Sequence, residues 1–288
     1  MTMKTTPVRY PEISRFVSQI ENVKDTFLSD YDESYGFWPD LEYFLEISGR
    51  LVNPGSILRR LTVAAPMSME IGQAWNRWQI FRSAQMEVTA IFLIETVFKG
   101  KVLEIIPEGK VPTPDFKANF GKQELLIEVK SQSGQQHGDK HSRSKGWIMF
   151  DPQEESDLKS WLFIERTSSR SGRPMKPKVV EAEEKGAHIL FAQTDFFSSM
   201  GDITRQASFI CTGCQLVSTA TIQPPAGKPV KAHFFKGAFP VSRQLHKLRE
   251  IWLFDESHRE RFVVLSQSMY LLNHLNNGDN QRLHKDRS

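Results

Sequence analysis

The chain has 288 residues, 39% of them hydrophobic and 25% charged. That balance excludes a disordered polyelectrolyte and supplies a sizeable core, while a net charge of +3 permits nucleic-acid binding without arguing for it. Two cysteines exclude a disulfide scaffold, and the longest apolar stretch, Val88–Phe98, is interrupted by Glu95 and too short to span a bilayer.

The opening MTMKTTPVRYPEIS has no apolar run of the signal-peptide kind, so a cytoplasmic setting without a membrane partner is expected. Ser14–Leu28 and Leu41–Leu61 carry apolar residues at helical spacing. The aromatic and acidic stretch DYDESYGFWPD between them reads as a loop, and Pro66 closes a helical N-terminal region, residues 1–66. Ser68 as N-cap, Glu70 in the first turn and Gly100 at the far end bracket a helix from about Met69 to Lys99, with room for a break.

Three strands are predicted next: Lys101–Ile106, Asp115–Phe120 and Glu124–Lys130. Glu108-Gly109 and Gly121-Lys122 mark the turns between them. Residues 131–174 are polar, broken by Trp147–Phe150 and Trp161–Ile164, and read as an insertion of loops with a hairpin. Pro177–Lys185 is helical, Gly186 ends it, and His188–Gln193 is a strand. The order is αβββ, insertion, αβ, over residues 67–200. Residues 201–275 form a strand-rich extension. There Ser208–Ile222 and Val230–Phe235 flank the loop Gln223–Pro229. A short helix Val241–Arg249 follows, then a hairpin of Ile251–Phe254 and Arg261–Leu265. Residues 276–288 read as a disordered tail.

One segment carries chemistry. Side chains alternate along a strand, so Glu128 and Lys130 leave one face while Ile127 and Val129 enter a core on the other. If the second and third strands form a hairpin about Gly121, Asp115 comes beside Glu128 and Lys130. Two carboxylates, the Val129 carbonyl and a substrate phosphate are a hard-oxygen set suited to Mg2+ or Mn2+. A lysine beside them supplies positive charge to the attacking water or the phosphate. Glu-x-Lys and Pro-Asp are each commonplace. Charges ending an otherwise apolar strand at this spacing are far less so.

Pro114-Asp115 with Glu128-Val129-Lys130, preceded by an acidic helix, resembles the PD-(D/E)xK nuclease superfamily. The stretch Glu87–Lys130 carries the resemblance, and Pro177–Gln193 fits the rest of that superfamily's αβββαβ core. It covers under half of the chain and picks out no subfamily. It implies an α/β, restriction endonuclease-like fold and metal-dependent hydrolysis of phosphodiesters. DNA is the implied substrate and RNA the alternative. Restriction, defence, recombination and transposition all use such cores. It also implies a further glutamate on the first core helix, for which Glu87 is the better fit and Glu95 the rival. No Gln-x-x-x-Tyr motif accompanies it.

Two basic runs lie in the insertion or beside it. Lys140, Arg143 and Lys145 are in one; Arg170, Arg173 and Lys176 are in the other. Both suit phosphate contact, with solvated loops as the alternative. Cys211-Thr212-Gly213-Cys214 has half of a zinc-ribbon spacing and reads as a simple thiol pair. Neither a Gly-x-Ser-x-Gly nor a Walker motif occurs. The expectation is a nuclease, with a homodimer or a targeting protein as possible partners. A nucleic-acid-binding subunit that keeps the fold without cleaving is the alternative.

Overall fold

The computed structural model describes residues 10–30, 37–63, 71–131, 155–167, 174–194, 207, 210–223, 229–255 and 261–275. They fall in two compact units, divided after Phe92.

The first unit holds helices α1 (Pro11–Ser18), α2 (Phe37–Ser48), α3 (Gly55–Leu61) and α4 (Ile71–Phe92). Pro11 opens α1 where a missing N–H is harmless. The next two N–H groups, of Glu12 and Ile13, donate to the Glu42 carboxylate at 3.0 and 2.9 Å. The helix expected over Ser14–Leu28 stops at Ser18, and short 3-10 turns at Val23–Asp25 and Phe27–Asp30 follow. Asn22 and Thr26 explain the break, since short polar side chains compete for backbone groups. Thr26 Oγ1 donates to the Val23 carbonyl at 2.7 Å. Likewise Leu41–Leu61 is two helices, split at Asn53, which adopts φ 62, and at Pro54. Helix α2 also takes in Phe37–Asp40, which had read as loop. Ile13, Phe44, Ile57, Leu61 and Phe81 are fully buried in this unit.

The second unit begins with a π-helical turn, Leu93–Val97. A sheet of eight strands follows. These are β1 (Lys101–Ile105), β2 (Phe116–Phe120), β3 (Gln123–Ser131), β6 (Ile189–Thr194), β7 (Thr212–Ile222), β8 (Val230–Ala238), β9 (Glu250–Asp255) and β10 (Arg261–Ser266). The connection from β3 to β6 carries α5 (Glu155–Phe163), a small hairpin of β4 (Arg166–Thr167) and β5 (Pro174–Met175), and α6 (Lys178–Lys185). Spatial order is β1-β2-β3-β6-β9-β10-β8-β7. β1, β2 and β3 form an antiparallel meander; β3 pairs parallel with β6, and β6 with β9. The strands read as a C-terminal extension therefore continue the same sheet. This is an α/β fold with a large mixed sheet.

The sheet's two faces differ. Leu190, Ala192, Ile251, Leu253, Val263 and Leu265 share a core with Leu158 and Leu162 of α5 and Val179 and Ala182 of α6. The apolar run Trp161–Ile164 thus belongs largely to a helix inside the region read as loops. The opposite face is aromatic. Phe98 packs on Phe262 and Trp252, with ring centroids 4.7 and 4.9 Å apart, and Phe120, Phe191 and Phe254 extend the cluster. Glu250 is 1% exposed on that face. It accepts from Trp252 Nε1 at 2.9 Å, Ser266 Oγ at 3.0 Å and the Leu271 N–H at 2.9 Å.

The helix expected over Val241–Arg249 is absent; those residues are irregular up to the start of β9. The Glu183 carboxylate of α6 accepts from the N–H groups of His246, Lys247 and Leu248 at 2.9, 3.1 and 2.8 Å. It thereby satisfies donors that a helix would otherwise pair. Residues 276–288 lie outside the described residues, and no described helix is long and apolar enough to cross a membrane.

Gly100 was expected as the glycine that ends a helix. The left-handed position is instead Lys99, at φ 56, and Gly100 serves close packing. A Cβ there would meet Phe120 Cε1 at 2.7 Å and Ile94 Cγ2 at 2.9 Å. Gly100→Ala should therefore destabilise the protein by about 1–3 kcal/mol in urea unfolding. Gly109→Ala, whose nearest neighbour is the Val111 carbonyl at 3.9 Å, should stay within about 0.5 kcal/mol. Equal effects would remove close packing as the reason for Gly100.

Candidate active site

The centre starts from a two-residue hairpin. Gly121, at φ 62, and Lys122 join β2 to β3, and Phe120 faces Gln123. The register then sets Ala118 against Leu125 and Phe116 against Ile127. Asp115, one residue before β2, donates its N–H to the same Ile127 carbonyl at 3.0 Å. Asp115 and Phe116 therefore both face Ile127, the pattern of a β-bulge, which re-aims side chains. The Asp115 carboxylate accepts the Val129 N–H through Oδ2 at 2.7 Å. Asp115 is thus tied to the residue between Glu128 and Lys130, as the sequence argument required.

Glu128 and Lys130 lie level with Leu190 and Ala192 of β6, on the face that α6 covers. Glu128 is 0% exposed. An isolated carboxylate there would be strongly destabilising unless paired. Lys185 of α6 supplies one ammonium, 2.6 Å from Oε1, and Lys130 binds the same oxygen. Both lysines retain 24% of their side-chain exposure. The other oxygen, Oε2, is buried without a hydrogen-bond partner among the described residues. Burial alone would lower the Lys130 ammonium. The Glu128 carboxylate, with Asp115 and Glu181 behind it, outweighs that and raises it above the ordinary lysine value. Lys130 is therefore a fixed positive charge at neutral pH.

Strand β3 is also clamped to the start of β6. The His188 N–H donates to the Leu126 carbonyl at 2.7 Å, and the Leu126 N–H donates back to His188 Nδ1 at 2.9 Å. Nδ1 must then be unprotonated. Burial, then the Arg249 and Lys247 charges, pushes the His188 imidazolium below its ordinary range.

The two candidate helix glutamates are each engaged by neighbouring groups. Glu87, 4% exposed in the first unit, gives both carboxylate oxygens to the Arg60 guanidinium at 2.6 Å each. Ser83 Oγ adds a third donor at 3.1 Å. Glu95, in the π-turn, accepts the Val102 N–H at 2.7 Å. Lys176 is exposed and pairs with Glu184 at 2.8 Å. Lys140, Arg143, Lys145, Arg170 and Arg173 lie outside the described residues. Sequence reasoning missed Lys185. The available signal was the charged set Lys178, Glu181 and Lys185, which recurs at helical spacing on one side of α6.

A hard divalent cation fits this donor set. Glu128 Oε2 lacks a partner, the Asp115 carboxylate lies across the hairpin, and the Val129 carbonyl leaves its strand on the same side as the N–H that Asp115 binds. Among the described residues no three His, Cys, Asp or Glu side chains gather as a cage. That set of two carboxylates and a carbonyl suits Mg2+, which keeps several waters, better than it suits Zn2+.

No protein-family model, curated protein or solved structure matches this chain.

His188 makes the clamp pH-sensitive. Its folded-state value lies below the ordinary value near 6.5. Below about pH 6.5 the unfolded chain therefore binds a proton that the folded chain refuses, and stability falls with pH through that window. Thermal melts from pH 7.5 to 5 should show this fall. His188→Asn, which keeps a side-chain acceptor but does not titrate, should show a shallower one. An unchanged slope would exclude His188 as its source.

Proposed function

We propose that the chain is a metal-dependent nuclease that hydrolyses phosphodiester bonds of DNA, with Asp115, Glu128 and Lys130 as its centre. The observation that carries the reading is the fully buried Glu128, whose Oε2 has no partner among the described residues and whose neighbour Val129 is bound by Asp115 across the β2–β3 hairpin. The antiparallel meander β1-β2-β3, the α6 crossover and the parallel pairing of β3 with β6 support it. They follow the αβββαβ order of the PD-(D/E)xK superfamily that the motif resembles.

Asp115, Glu128 and the Val129 carbonyl would hold Mg2+ or Mn2+. When bound, such an ion polarises the phosphoryl group and lowers the pKa of a coordinated water. Lys130, held charged by its neighbours, stabilises negative charge developing on the phosphate. The bond between Asp115 Oδ2 and the Val129 N–H orients that carboxylate before substrate arrives. The clamp between His188 and Leu126 fixes β3 two residues ahead of Glu128. Lys185 balances the Glu128 charge from the helix side. RNA in place of DNA, and a homodimer or a targeting protein as partner, are compatible with the same centre.

One observation favours a second reading. Two ammoniums already neutralise Glu128 Oε1, as they would in a non-cleaving nucleic-acid-binding subunit that keeps the fold.

Supercoiled plasmid and linear DNA incubated with the purified chain in Mg2+ or Mn2+ separate the two. Cleavage is expected, falling by about 10²–10³-fold in Glu128→Ala and Lys130→Ala. A native chain that binds DNA and leaves it uncut in either metal favours the second reading.

Lys185 gives a separate test. Lys185→Met should lower metal-free stability by about 1–3 kcal/mol, since Glu128 loses one of two ammoniums. Added Mn2+ should raise the melting temperature of that variant more than that of the native chain, because a bound cation replaces the lost charge. Equal shifts would argue against a cation at Glu128.

A further inference from the structure

Both cysteines of the chain meet at one irregularity of the sheet, and the proposed nuclease centre uses neither. Cys211 directly precedes β7. It is 4% exposed, belongs to the core beneath α5, and donates its N–H to the Ala207 carbonyl at 3.1 Å. Cys214 is within β7, at the rim of the same core, and keeps partial exposure. Thr212 pairs with Ala238 and Gln215 with Lys236, so Gly213 and Cys214 together oppose the single residue Gly237. Gly213 takes φ 64, which turns the chain so that the two thiols hydrogen-bond to each other. Gly237 leaves them room. A Cβ there would lie 3.2 Å from Cys211 Cβ and 3.2 Å from Cys214 Cα. Register, bulge and facing glycine all serve the approach of two sulfurs.

A tetrahedral metal would need further ligands, and among the described residues no third His, Cys, Asp or Glu joins the pair. Dithiol exchange needs only an accessible attacking sulfur and a buried one behind it. The pair divides in that way. The shared hydrogen bond holds Cys214 below the ordinary thiol range. The same bond, with burial, pushes Cys211 up.

We propose that Cys211 and Cys214 form an exchange-active dithiol that is oxidised to a disulfide by small-molecule disulfides, with Cys214 attacking and Cys211 resolving. The Cys214 thiolate bonds to one sulfur of the small disulfide, whose S–S bond breaks and releases a thiolate that takes a proton from water. Cys211 then loses its proton, its sulfur bonds to Cys214 Sγ, and the second small thiol leaves with that proton. The two cysteines lose two electrons and two protons in all, and the small disulfide becomes two thiols.

The test is intact-mass spectrometry of the folded full chain treated with oxidised glutathione. The expected product lacks two hydrogens and is restored by dithiothreitol. In brief alkylation of the untreated chain, which requires no substitution, Cys214 should be labelled about tenfold faster than Cys211 or more. Cys211→Ser should accumulate a stable glutathione adduct on Cys214, and Cys214→Ser should stay unmodified under the same conditions. Gly237→Ala should slow formation of the internal disulfide. The proposal is overturned if the native chain keeps both thiols. It is overturned equally by a glutathione adduct on the native chain that never resolves, or by Cys211 reacting first.

Discussion

A negative charge held without solvent inside an eight-stranded sheet sets the terms for the second unit. Glu128 has no exposure, and a buried ion without partners would unfold its surroundings or lose its charge. Its partners arrive by two routes. Lys130 comes from the same strand, because a period of two returns residue 130 to the face of residue 128. Lys185 comes from α6, which reaches that face only because β3 and β6 pair in parallel and need a crossover between them. The parallel ladder, the covering helix and the two ammoniums are thus one arrangement. Moving β3 by a single residue would turn Glu128 toward the aromatic face and lose all three.

The unit buries a second glutamate, and the contrast is instructive. Glu250 is held by a tryptophan N–H, a serine hydroxyl and backbone N–H groups, with no ion-paired cation among the described residues. Burial therefore raises its carboxyl above the usual carboxylate range despite those bonds. Its donors join β9, β10 and the short helical segment at residues 270–275, which is an architectural task. Glu128 has strong cationic partners on one oxygen and, among the described residues, none on the other. A satisfied buried acid stiffens a fold, whereas a half-satisfied one retains the capacity to accept a further donor.

Where the deciding contacts were local, the sequence was a good guide. Gly121-Lys122 and the alternation of β3 placed the hairpin, and with it Asp115 beside the Glu128–Lys130 segment. Gly186, at φ 83, ended α6 as glycine at that position should. The misreadings came from partners distant in the chain. Residues 241–249 resemble a helix until the Glu183 carboxylate, about sixty positions away, takes their N–H groups. Lys185 was invisible as a site residue because only the β3–β6 pairing carries α6 over Glu128. The short apolar run at Trp161 was ambiguous between loop, strand and helix until its core was known.

The same parallel pairing has a corollary for chain length. Between Ser131 and Ile189 the chain must cross the sheet in any case, so its length there is only weakly constrained. Doubling such a link raises its closure entropy by only about 0.6 kcal/mol, far less than a misplaced charge beside Glu128. New segments can be spliced into this crossing while the ladder from Ile127 to Ser131 keeps its register. It is the place where added length would disturb the carboxylates beneath it least.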